Sequence, residues 1–254
     1  MFQVFWRSIK DLFDELFLLI LTNLVWCVIS LPLLGLAGFA SFQGFPLPAT
    51  ILAVLAVLPL GPATAGMYTI AQRVNEGRTG NLGQFFAGMR EYAKLSWQIY
   101  GIWMVGFVAI VFNLAFYNQL GSAVGAVLQV VFLYLFVIWF ALLVYLGPLM
   151  LLQTDKRLRV IARNAALMAF GRPIFTLVTL VLMVLLIVVS LIPGVFIIPL
   201  LILFAFLSVW SFRATTKLIA DAEERLRLEE EKATAGQIKY STDKGRSGQI
   251  KPRD

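Results

Sequence analysis

Ionisable side chains are missing from three long stretches of this chain. No Asp, Glu, Lys or Arg occurs from Leu16 to Gln72, from Leu95 to Thr154 or from Pro173 to Phe212. The 21 Lys and Arg and the 14 Asp and Glu all lie in the segments between and beyond these stretches. A bilayer core about 30 Å thick is crossed by ~20 helical residues. The first two stretches are each too long for one crossing and too short for three. Each predicts a helical hairpin, two spans joined by an uncharged turn.

In the first stretch the spans fall at 16–36 and 47–70, around a breaker-rich turn from Ala37 to Pro46. In the second they fall at 95–117 and 123–152, around Asn118-Gln119-Leu120-Gly121-Ser122. The third stretch, as one helix, would run about 60 Å at ~1.5 Å per residue, twice the membrane. Pro193-Gly194 divides it into short spans at 174–192 and 196–212; a re-entrant hairpin would leave the same charge gap. The expected fold is all-α: a polytopic helical membrane protein with six transmembrane helices as three hairpins.

Composition agrees. The 254 residues are 60% hydrophobic and 14% charged, against ~45–50% and ~25% in a soluble domain. Such a chain is neither disordered nor a disulfide-stapled module nor a nucleic-acid-binding domain. It holds no His, and Cys27 has no second cysteine to pair with.

An even number of spans separates each charged segment from the next, so all share one face. The loop 155–172 carries Lys156, Arg157, Arg159, Arg163 and Arg172 against Asp155 alone. Basic loops mark the cytoplasm, so both termini are expected inside. The net charge of +7 is then directed at anionic lipids of the cytoplasmic face, not at nucleic acid.

Residues 1–15 form an expected interfacial helix. Phe2, Phe5, Trp6, Ile9, Leu12, Phe13, Leu16 and Phe17 recur at helical spacing, with polar residues opposite. Acidic residues stand where a signal peptide carries basic ones, so no cleavage is expected there. Phe85, Phe86, Met89, Tyr92 and Leu95 repeat the stripe before the third span. A weaker one, Leu158, Ile161, Ala165, Met168 and Ala169, precedes the fifth. Three units of interfacial helix plus hairpin are one reading of this; any hairpin protein with interfacial helices would look the same. After the last span, i,i+4 pairs such as Asp221–Arg225 and Glu223–Arg227 extend a cytoplasmic helix over 213–232. The basic segment 233–254 reads as disordered.

Asn23-Leu24-Val25-Trp26, Leu31-Pro32 and Gly61-Pro62-Ala63-Thr64-Ala65-Gly66-Met67-Tyr68 stand in order along the chain. Arg73, Phe85-Phe86 and Asn164-Ala165-Ala166-Leu167 follow. Over roughly residues 1–215 this pattern resembles the YesL-like bacterial multi-pass membrane proteins, a family catalogued as a domain of unknown function. The resemblance implies a bacterial plasma membrane and a carbohydrate-associated setting, because members are often encoded beside sugar-uptake and polysaccharide-degradation systems. It brings no catalytic residues with it.

No Asp, Glu, Lys, Arg or His lies inside a span, which excludes aspartyl, zinc and Ser-His chemistry at depth and an ionisable proton relay. No enzyme activity, metal or cofactor is expected. What remains at depth is neutral: Thr22, Asn23, Cys27, Ser30, Thr64, Tyr68, Asn113, Gln129, Tyr134, Thr176, Thr179 and Ser190. Such groups either line a pocket for a neutral solute or bond helix to helix. Pro59 and Pro62 remove donors and free the carbonyls of Leu55 and Leu58, as a packing kink or as part of a solute path. The positions singled out are Asn23, Pro59, Pro62, Thr64, Tyr68, Asn113 and Gln129. The leading expectation is a non-catalytic accessory or assembly factor acting on a membrane-protein partner; the alternative is a permease for a neutral small solute such as a sugar.

Overall fold

The computed structural model describes residues 2–190, 192 and 199–246. Among them every regular element is helical. Helix α1 (Phe2–Asp14) is the expected amphipathic helix, and α2 (Leu16–Phe42) follows directly. Gly44, at φ +80, makes the turn into α3 (Pro46–Leu55). Its left-handed backbone suits a residue without Cβ, and Pro46 then opens α3 where a missing N–H costs no bond.

The second span is not one helix. It breaks at Ala56 into α3 and α4 (Val57–Asn75). Pro59 lies in the first turn of α4, where backbone donors lack intrahelical partners in any case. Pro62 is the proline inside that helix. The span expected at 47–70 is present as one apolar segment, Pro46–Asn75, made of these two helical pieces.

Helix α5 (Leu82–Glu91) is started by a reciprocal cap: Gln84 N–H donates to Asn81 Oδ1, and Asn81 N–H to Gln84 Oε1, both at 3.0 Å. The second hairpin is α6 (Ala93–Gln119) and α7 (Ala123–Leu152), the latter capped by Ser122, whose Oγ accepts from Gly125 N–H at 3.1 Å. Helix α8 (Leu158–Gly171) meets α9 (Pro173–Ser190) at a 97° bend. The cause is local: Arg172 precedes a proline, which disfavours the helical region for it, and it adopts φ −136, ψ 70. A π-helical turn (Pro199–Leu203) leads into α10 (Phe204–Arg246). Pro193 and Gly194 lie outside the described residues, as does Gly248–Asp254.

Among the described residues five helical segments are long and apolar enough to cross a membrane, and a sixth if the bent α8–α9 pair is one span. The chain divides into two compact units, Met1–Thr215 and Thr216–Asp254. In the second, helix continues to Arg246, past the Ala233 limit read from the sequence. Extending an existing helix avoids the cost of nucleation.

The core of the first unit is the Gly61–Tyr68 segment of α4, buried at every position, against Val144–Leu151 of α7 and Ala205–Phe212 of α10. Small residues set how close the helices come. A Cβ at Gly147 would overlap the ring of Tyr68, and one at Gly66 would lie 2.6 Å from the carbonyl of Phe85. Large apolar side chains cover the outside instead: Phe17 is 80% and Phe42 87% exposed. That surface would be a liability in water and is matched to lipid.

Candidate functional site

The neutral polar residues separate into two groups. Asn23, Thr64 and Tyr68 come together in a buried seam between α2, α4 and α10. Asn113 and Gln129 do not join it.

Asn23 is fully buried. Its Oδ1 accepts the backbone N–H of Ala205 at 2.9 Å, and its Nδ2 donates to Cys27 Sγ at 3.7 Å. Ala205 lies where the π-helical turn passes into α10. A side chain from α2 therefore supplies the acceptor for a backbone N–H at that junction, inside the apolar layer. One turn further along α2, Trp26 stacks on Phe204 with centroids 3.8 Å apart, and its indole N–H donates to Thr64 Oγ1 at 3.1 Å.

Tyr68 continues the seam. Its hydroxyl lies 3.3 Å from Ser211 Oγ, and Ser211 donates to the carbonyl of Val144 at 2.7 Å. Ser211 has one proton, used on Val144, so Tyr68 is the donor to Ser211. The chain of hydroxyls ends on a backbone carbonyl and hands no proton onward. Beside it, Tyr145 and Thr176 tie α7 to α9 at 2.7 Å. Among the described residues buried Ser30 Oγ and Trp210 Nε1 have no hydrogen-bond partner.

Asn113 bonds within its own helix, Nδ2 to the carbonyl of Ala109 at 2.8 Å, on the outer surface. Gln129 Nε2 reaches Asn118 Oδ1 at 3.3 Å beside the α6–α7 turn, also exposed. Tyr134 faces outward. Pro62 frees the Leu58 carbonyl as its position requires, and the indole N–H of Trp97 donates to that oxygen at 2.8 Å. Leu55, Leu58 and Trp97 are exposed, so this contact lies on the outer surface of the helix group.

Several partners were not singled out in the sequence: Trp26, Trp97, Tyr145 and Ser211. A further pair is Trp103 and Trp139, whose indoles each donate to the other's backbone carbonyl, at 3.1 and 2.9 Å, across α6 and α7. The available signal was chemical: an indole N–H in an apolar layer needs an acceptor, so every Trp in a span marks a candidate contact.

Charge enters only at the margin. Arg213 pairs with Asp11, joining α10 to α1, beside the contacts of Phe5 with Phe206 and Trp210. Burial raises the Asp11 carboxyl above its ordinary value, more than Arg213 lowers it. Lys156 closes the end of α7, donating to the carbonyls of Met150 and Leu151, both at 2.9 Å, with Nζ 5.3 Å from the centre of the Tyr92 ring. Burial lowers the Lys156 ammonium, opposed by Glu91. Burial, then the bond and charge of Glu91, push the Tyr92 phenol up to about 12. Among the described residues no cluster of His, Cys, Asp or Glu could hold a metal.

No protein-family model, curated protein or solved structure matches this chain.

Proposed function

We propose that this chain is a non-catalytic, YesL-like bacterial plasma-membrane protein that crosses six times with both termini in the cytoplasm. It serves as an accessory or assembly factor for a neighbouring membrane system, with carbohydrate uptake as the setting that the sequence resemblance implies. The observation that carries this reading is the commitment of the buried polar groups. Asn23, Trp26, Thr64, Tyr68 and Ser211 spend their hydrogen bonds on other helices, which is the work of helix–helix adhesion in a membrane. The stretch that most specifically supports the YesL-like reading, Gly61-Pro62-Ala63-Thr64-Ala65, also lies in the buried centre of the packing.

A second reading is a permease for a neutral solute such as a sugar. It is favoured by the Ser30 hydroxyl, buried and without a hydrogen-bond partner among the described residues. Purified protein in liposomes separates the two. No flux of neutral sugars is expected, and deletion from cells should lower the abundance of one membrane complex without lowering its transcripts. Solute flux by the protein alone overturns the accessory reading. Threading is tested separately in a Cys27-free background: cysteines at Ser41, Ser122 and Gly194 should react with an impermeant reagent from outside, and those at Gly80 and Ser241 should not.

A further inference from the structure

Helix α8 has two opposed faces. Ile161, Ala165 and Ala169 are buried against the protein. Arg159, Arg163, Leu167 and Phe170 are exposed. At ~100° per residue these four fall within about 80° of arc, centred roughly opposite the buried three. The exposed face is graded along its length, with two arginines at the N-terminal half and two large apolar side chains, each 59% exposed, at the C-terminal half. The 97° bend at Arg172 sets α8 across the direction of α9. Beyond the bend the same apolar surface continues through Ile174 and Leu177 of α9, both exposed.

The other cations of this loop are differently employed. Lys156 caps α7, and Arg157 lies 3.7 Å from Asp155. Among the described residues neither Arg159 nor Arg163 is paired with an acid. From these relations we infer that the outward face of α8 is a docking surface for anionic phospholipid. Arg159 and Arg163 hold headgroup phosphates while Leu167 and Phe170 enter the acyl boundary. The guanidinium fork suits phosphate oxygens, and its stem lies along apolar surface while the charge stays at the interface. An acidic soluble protein would meet the arginines but would leave Leu167 and Phe170, continuous with a membrane span, uncovered. A lipid leaflet covers both halves at once.

This inference rests on the reading that puts α8 on the cytoplasmic face, and the experiment keeps the two apart. Full-length protein is placed in nanodiscs of phosphatidylcholine, alone or with 30% phosphatidylglycerol, and its Tm is measured. Phosphatidylglycerol should raise the Tm of the parent protein, and high salt should reduce the rise. R159Q/R163Q should keep the Tm in phosphatidylcholine and lose most of the rise. R159K/R163K should retain much of it, and R225Q/R227Q, with the same change of net charge, should retain all of it. An equal rise in parent and R159Q/R163Q overturns the inference. So does an equal rise from inorganic phosphate in detergent, which would mark a soluble-anion site. If R159Q/R163Q does not fold, single replacements that leave the rise intact are equally fatal. Labelling of a cysteine at Ala162 from outside would reject the orientation without touching the lipid result.

Discussion

The indole of Trp97 donates to the carbonyl of Leu58 at 2.8 Å, the oxygen left without its helical donor by Pro62. Pro62 in α4 and the approach of α6 are therefore one feature, since the group that proline removes is supplied by the neighbouring helix. Trp97→Phe should lower stability by about 1 kcal/mol, the scale of a net hydrogen bond, measured as Tm in detergent. Pro62→Ala returns a donor to the same carbonyl, so the Trp97→Phe loss should shrink or vanish in the Pro62→Ala background. Strict additivity of the two changes would show that the indole bond does not compensate for the proline.

Asn23 and Asn113 should respond differently to the same replacement. Asn23→Leu leaves the Ala205 N–H buried without an acceptor, and a loss of about 1–3 kcal/mol is expected. Asn113→Leu removes a half-buried side chain bonded to its own helix, and stability should stay within about 0.5 kcal/mol. Thermal unfolding of both variants in one detergent decides it. Equal effects would contradict the weight given to the Asn23–Ala205 bond.

Packing of α4 on α7 depends on the missing side chain at Gly147. Gly147→Ala puts a methyl group into the Tyr68 ring, and overpacking of this kind costs about 1–3 kcal/mol. The Tyr68–Ser211 bond should go with it. Tyr68→Leu should recover part of the loss in the double variant. Gly35→Ala is the contrast: nothing lies within 4 Å of a Cβ there, and alanine is the better helix former. A destabilised Gly35→Ala would mean that an unseen neighbour covers α2.

The Asp11–Arg213 pair carries a pH dependence. Burial raises the Asp11 carboxyl, so the folded chain holds that proton more tightly than the unfolded chain does. The stability linked to it is complete below the unfolded value near 4 and is lost as pH rises through the folded value. At neutral pH Asp11→Asn should hold or raise the Tm. Arg213→Gln strands a carboxylate whose side chain is only 19% exposed and should cost about 2 kcal/mol. That penalty should shrink on acidification as Asp11 takes up its proton. A loss from Arg213→Gln that is flat between pH 4 and 8 would remove Asp11 from the account.

That the chain forms long apolar helices able to cross a membrane was legible in the residues alone. An ionised side chain at bilayer depth is so costly that its absence over a long stretch already marks the span, and apolar periodicity repeats every few residues. Both are local properties. The amphipathic stripes of α1, α5 and α8 are local in the same sense and stand where the sequence put them, whereas the helix of the first span, expected to end at residue 36, runs on to Phe42. Which face of each helix meets which neighbour is not local. Asn23 and Asn113 sit in equally apolar surroundings in the chain, yet one bonds the backbone of α10 and the other bonds its own helix. Pro62 announced a free carbonyl but not that Trp97 would fill it. The break at Ala56 and the reciprocal Trp103–Trp139 bonds likewise went unread. In a membrane the apolar outside and the apolar inside have the same composition, so hydropathy cannot tell a lipid-facing side chain from a packed one. Only the tertiary arrangement, through the close approach at Gly66 and Gly147 and the hydrogen bonds from α2 to α10, decides which polar groups become the seam.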